Sequence, residues 1–125
     1  LANQLRGGAV WGIGLSAYER HLYDPQNGLP ASSGYWQSKI PTYLDTPENI
    51  GTGWVDLPDP ENPVGARGIG EPSMGAVSAA LNAAISDALD GHLFNAAPVT
   101  ADMIINHVAG ISENSVPLAQ NNFRG

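Results

Sequence analysis

The 125-residue sequence contains no cysteine. Disulfides, thiolate metal sites and a cysteine nucleophile are excluded, and the redox compartment stays open. Basic residues are scarce as well: five Lys and Arg stand against twelve Asp and Glu, for a formal net charge of −7. A chain so poor in cations has little means of holding nucleic acid or an anionic membrane. Charged residues of both signs make up only 14%, against about 25% in an ordinary soluble domain. So little charge fits a polypeptide whose faces are largely covered by other protein. No apolar run approaches the ~20 residues of a membrane span, and the N-terminus lacks the charged start and cleavage pattern of a signal peptide. No targeting signal chooses between a bacterial cytoplasm and periplasm. The chain opens on Leu1 without a Met, which raises the expectation that it is the tail of something longer.

What is abundant is glycine, with 15 residues, and proline, with 10. Both imply many turns and close backbone approaches. The hydrophobic fraction of 42%, with Trp11, Trp36 and Trp54 spread along the chain, argues against low-complexity disorder. Residues 3–19, NQLRGGAVWGIGLSAYE, have helical spacing and Asn3 as a candidate cap. Glycines at 7, 8, 12 and 14 oppose that helix by about 1 kcal/mol each relative to Ala. A helix with that handicap needs its backbone close to something, either another backbone or a ligand. DPQNG at 24–28 signals a turn after the strand-like HLY, and NIGTGWVDL at 49–57 alternates as a half-buried strand does. PDPENP at 58–63 reads as a rigid, solvated acidic loop. Residues 75–90 form an Ala-rich helix with Val77, Leu81, Ile85 and Leu89 on its stripe, stopped by Gly91. A last helix runs from Thr100, as N-cap, to Gly110, and a polar tail covers 111–125.

The candidate chemistry lies in NPVGARGIGEPSMGA, residues 62–76. Gly65, Gly68 and Gly70 crowd together before a lone carboxylate, Glu71, and Pro72 follows it. Backbone N–H groups at a helix start favour the charged carboxylate, whereas burial among glycines opposes it. A carboxylate under opposed influences suits a general base. Two other readings stay open at this level: a Glu that merely caps the helix, and a Gly-rich phosphate loop. The spacing matches neither a P-loop nor a Rossmann turn, and Glu71 would repel phosphate. His21, His92 and His107 show no ligand spacing, so surface or structural roles are expected of them. Ser16, Ser73 and Ser78 stand in no nucleophile-elbow context.

Five segments taken in order resemble a known family: NQLRGGAVWGIGLSAYE, YWQSKIPTYLDTP, GARGIGEP, AALNAAISDAL and PVTADMI. They are similar to the C-terminal segment of the molybdopterin-binding large subunit in the xanthine oxidase family of molybdenum hydroxylases. Members show a Gln-x-x-Gly-Gly/Ala helix and a Gly-x-Gly-Glu motif before an Ala-rich helix. The resemblance covers roughly residues 3–108, and the agreement in register of several short motifs carries it.

The resemblance implies that Glu71 is the active-site base, taking the proton from a molybdenum-bound hydroxyl in the oxidative hydroxylation of an aldehyde or N-heteroaromatic. It implies that Gln4 contacts the pterin and that Ile69 and Gly70 line the same pocket through their backbone. The metal would be held by the dithiolene of a molybdenum–molybdopterin in its cytosine dinucleotide form, with no protein ligand. Implied partners are the remainder of the large subunit, an iron–sulfur subunit, and an FAD or cytochrome subunit. DLPDPENPVGARGIGE is most like the aldehyde-oxidising members, and Arg67 stands where members often carry Lys or another residue. The expected architecture is α+β: residues 1–110 as the C-terminal portion of a molybdopterin-binding domain, with two to three helices and a few strands, followed by the tail 111–125. The competing reading, from a different class, is a non-catalytic structural or interaction subunit of a larger complex.

Overall fold

The computed structural model describes residues 1–112, so nearly all of the expected tail at 111–125 lies outside the described residues. Among the described residues there are five α-helices and one 3₁₀ turn: α1 Ala2–Ala17, α2 Tyr35–Ser38, the 3₁₀ turn Tyr43–Asp45, α3 Pro72–Gly75, α4 Val77–Ala88 and α5 Ala101–Ala109. The expectation of an α+β architecture is overturned. Among the described residues no strand forms, and the nearest approach to one is a single antiparallel bridge between Tyr23 and Pro30. Residues 49–57, expected as a strand, have neither helix nor ladder. An alternating pattern supplies side chains for two faces, but a strand also needs a second backbone to pair with. No described segment lies alongside 49–57 in that way.

The bridge closes the turn at 24–28, where Gly28 N–H donates to Asp24 O at 2.8 Å and Gly28 takes φ +71°. Asp24 organises the loop by accepting from Gln26 N–H and from Asn27 Nδ2, both at 2.8 Å. The acidic loop is closed by its own backbone too: Asp59 N–H donates to Gly65 O at 2.9 Å, and Gly65 N–H to Asn62 O at 2.8 Å.

The helical core reverses ordinary amphipathicity. Helix α1 buries Gly8, Gly12, Gly14 and Ser16 and leaves Trp11 and Leu15 exposed. Its small residues face α3 and α4. A Cβ on Gly8 would stand 2.8 Å from Ser73 Cβ, and one on Gly12 only 2.5 Å from Val77 Cβ. Backbone proximity therefore accounts for those two glycines. Gly14 packs on Pro41, while Tyr18 Oη donates to Asp45 Oδ1 at 3.3 Å, docking the 3₁₀ turn against the end of α1. Val99, 1% exposed, is held by donation from its N–H to Ser16 O at 2.7 Å, which fixes the approach to α5. Helix α5 begins after Thr100, whose side chain makes no capping hydrogen bond, contrary to its expected role. It ends at Gly110, φ +65°, as its glycine implies.

Among the described residues little apolar surface is covered, and Val99 is the buried hydrophobic side chain. Its accessible surface is 9870 Å², against about 6,400 Å² for a compact monomer of this mass. Thirteen fully extended residues would expose only about 2,000 Å², so residues 113–125 cannot supply the whole excess. Trp36, Tyr43 and Leu44 are 90%, 91% and 92% exposed.

Candidate functional site

Helix α1 meets the Glu71 loop in register. Gln4, Gly8 and Gly12 follow one another at four-residue spacing, on one helix face. They meet Gly70, Ser73 and Val77 in the same chain order. At the first of these meetings Gln4 Nε2 donates to Gly70 O at 2.9 Å, across 66 residues of sequence. Two motifs that are separate in the sequence are thereby joined, with Glu71 the next residue along the chain.

Glu71 occupies the N-cap position of α3, but its side chain makes no capping hydrogen bond. Its backbone carbonyl accepts from Met74 N–H at 2.9 Å. Pro72 at the first helical position then fixes the chain direction. The Ala-rich helix expected over 75–90 is α4, Val77–Ala88, and the four-residue α3 precedes it, starting directly after the carboxylate. Glu71 is exposed, as are Gly68, Gly70 and Gln4, while Ile69 is half-buried, so no described residue covers the carboxylate. The burial among glycines anticipated for the carboxylate is not provided by the described residues.

The glycines before it carry a specific message. Neither Gly68 nor Gly70 has a positive φ, and a Cβ on either would meet no atom within 4 Å. Neither conformation nor packing among the described residues requires glycine there. Nor do the N–H groups of Gly68, Ile69 and Gly70 donate to any described backbone carbonyl. Gly7, one turn after Gln4, is open in the same way. Ser73 Oγ, by contrast, is buried against Gly8 without a hydrogen-bond partner.

Arg67 is engaged within its own loop, donating from Nε to Asp59 Oδ2 at 2.7 Å. That bond is the first cause holding the Asp59 carboxyl below its ordinary range, followed by donation from Glu61 N–H. The sequence reading missed the role of Arg6, whose Nε donates to Ile50 O at 3.3 Å. Arg6 closes one wall of a cleft of about 940 Å³ lined by Gly7, Val10, Tyr43, Leu44 and Ile50. Gln4, Ile69, Gly70 and Glu71 are not among its lining residues. It also missed the stacking of His92 on His107, ring centroids 3.7 Å apart, since 15 residues of sequence separate them. Among the described residues no three of His, Asp and Glu converge as a metal site.

The donor set suits a large polar group. Free backbone N–H groups on open glycines permit close approach, and an amide side chain can both donate and accept. Residues 1–47 match the model of a molybdopterin cofactor-binding domain. The chain is 34% identical over 111 residues to the gamma subunit of the 6-hydroxypseudooxynicotine dehydrogenase complex of Paenarthrobacter nicotinovorans, covering 88% of this chain and 14% of that protein. It is 29% identical over 110 residues to a putative xanthine dehydrogenase molybdenum-binding subunit of Escherichia coli (strain K12), covering 86% of this chain and 14% of that one. To the nicotine 6-hydroxylase large subunit of P. nicotinovorans it is 28% identical over 116 residues, 91% of this chain and 14% of the relative. The chain belongs to the xanthine oxidase family of molybdenum hydroxylases. It spans about one seventh of the length of these curated relatives.

Proposed function

We propose that this chain supplies the proton-accepting carboxylate and part of the cofactor wall of a molybdenum hydroxylase. Glu71 is the proton acceptor, Gln4 a contact to the pterin, and the backbone of Ile69 and Gly70 lines the same cavity. The observation that carries the reading is the hydrogen bond from Gln4 to Gly70, which sets the amide beside the carboxylate-bearing loop. The uncapped side chain of Glu71 supports it, because the carboxylate is not engaged as a helix cap.

Molybdenum–molybdopterin, when bound, supplies the two-electron redox chemistry of hydroxylation. The chain's own part is a proton transfer. A Glu71 carboxylate oxygen accepts the proton that the oxygen nucleophile gives up, and Pro72 with α3 limits where that oxygen can stand. Open backbone at Gly68 and Gly70 allows the reacting groups to approach without a Cβ in the way. Residues 1–110 act as a segment of the cofactor-binding domain, completed by the rest of a large subunit. The cofactor is taken in its cytosine dinucleotide form. Electrons leave through an iron–sulfur subunit to an FAD or cytochrome subunit. The substrate is an aldehyde or an N-heteroaromatic. Nicotine and xanthine, the compounds in two relatives' names, favour the heteroaromatic.

In the assembled enzyme, Glu71→Gln is expected to lower kcat by about 10²- to 10⁴-fold with molybdenum content unchanged. Unaltered turnover would remove Glu71 from the reaction and leave a structural subunit as the better reading.

A further inference from the structure

Among the described residues, Gln4 is the α1 side chain that hydrogen-bonds to the carboxylate loop. Its amide nitrogen donates to the carbonyl of Gly70, the peptide group directly preceding Glu71. Among the described residues the rest of that loop has few hydrogen-bonded anchors. The N–H groups of Gly68, Ile69 and Gly70 have no described backbone acceptor, Gly68 and Gly70 touch nothing that a side chain would touch, and Glu71 makes no capping bond. Behind the loop, in contrast, α1 and α3 are locked together where Gly8 meets Ser73. Between Arg67, which is tied to Asp59, and Met74, whose N–H closes the first turn of α3, the Gln4 amide makes the one side-chain hydrogen bond found among the described residues.

We propose that Gln4 is a positioning residue for Glu71. It holds the Gly70 carbonyl and so fixes the direction in which the chain enters Glu71. The inference rests on the reading of Glu71 as proton acceptor. An amide side chain has two N–H donors and one carbonyl acceptor. One donor is used on Gly70, which leaves a second donor and the acceptor Oε1 for a polar ligand. The same side chain can therefore grip the cofactor and the base-bearing loop at once. A ligand that orders Gln4 orders Glu71 with it, and a loop held at Gly70 leaves Gln4 oriented for the ligand.

The test uses Gln4→Met, which keeps the length of the side chain, stays neutral and removes both donors. Two readouts are taken. First, in the cofactor-free assembled protein, trypsin cleavage after Arg67 reports how readily the loop opens. Losing one net hydrogen bond corresponds to about a 3- to 10-fold change, and cleavage should accelerate by that factor. Second, kcat per bound molybdenum should fall by a similar factor while KM is unchanged, because the reacting carboxylate is displaced but the substrate contacts are not. If Gln4→Met does not assemble, Gln4→Glu keeps length and acceptors, removes the donors and carries the same expectations. Unchanged cleavage at Arg67, or a loss of activity fully accounted for by lost molybdenum, overturns the proposal. Glu71→Gln separates the two ideas. An inactive Glu71→Gln beside a Gln4→Met with unchanged cleavage sinks only the positioning role. A fully active Glu71→Gln sinks the reading of Glu71 and with it this inference.

Discussion

Gly12 of α1 lies so close to Val77 at the start of α4 that a Cβ on the glycine would stand 2.5 Å from the valine's own Cβ and 3.1 Å from Met74 O. Helix α1 is thus fitted to its neighbours by what it lacks. The same helix carries Gly7, where an added Cβ would meet nothing within 4 Å.

The two glycines should respond to substitution with opposite sign. Gly12→Ala forces backbone or Val77 to shift, at a cost of about 1–3 kcal/mol. Gly7→Ala gains helix propensity, roughly 0.5–1 kcal/mol. Denaturant midpoints of the assembled protein should move down for the first and up for the second. A loss of stability in Gly7→Ala would mean that another chain or a ligand occupies the open side of α1.

Ser73 offers a test of the orphaned hydroxyl beneath the carboxylate loop. Its Oγ is buried and unpartnered, so Ser73→Ala removes an unmet desolvation cost and should raise stability by about 1 kcal/mol. Turnover should be retained, since the hydroxyl faces Gly8 and takes no part in the proposed proton transfer. A large drop in kcat with normal folding would assign Ser73 a role that its packing does not suggest.

The Asp59–Arg67 pair makes a pH-dependent contribution with a defined direction. Asp59 is depressed below the ordinary carboxylate value of 3.8, first by Arg67 and then by Glu61 N–H. A depressed acid contributes stability above its unfolded pKa and loses it as pH falls through the folded value. Arg67→Met should bring Asp59 back up towards 3.8 without reaching it, because the Glu61 bond persists. Carboxyl ¹³C titration reads this directly. Arg67 is largely exposed, so high salt should shrink the shift in the wild type.

Exposed aromatic surface makes a prediction about the chain by itself. With Tyr35, Trp36, Tyr43 and Leu44 all more than four-fifths exposed, the isolated chain should self-associate and bind an apolar dye. Trp36→Ser with Leu44→Ser should reduce both effects while leaving helical circular dichroism unchanged, as neither residue is packed. A monodisperse wild-type chain that binds no dye would show that this surface does not need a partner.

Local features of the fold were legible because their causes are local. Apolar spacing marked α1 and α4, Gly91 and Gly110 marked two stops, and Asp24 to Gly28 marked a turn, each governed by neighbours within a few residues. The same local logic failed where a partner was required. Residues 49–57 alternate as a strand should, yet no described backbone pairs with them. Thr100 has the right chemistry for a cap and does not use it.

By itself the sequence determined the succession of helices and the family motifs, including a carboxylate set after a Gly-x-Gly run and a glutamine near the start. It could not say which glycines of α1 face a helix and which face open space, because that depends on how α1 is rotated against α3 and α4. Only the tertiary structure decided that Gly8 and Gly12 are packing positions, that Gly7, Gly68 and Gly70 are open, and that Gln4 reaches Gly70. The physical reason is distance along the chain: a hydrogen bond spanning 66 residues has no signature in any local window, and forms only once helix packing has brought the two segments together.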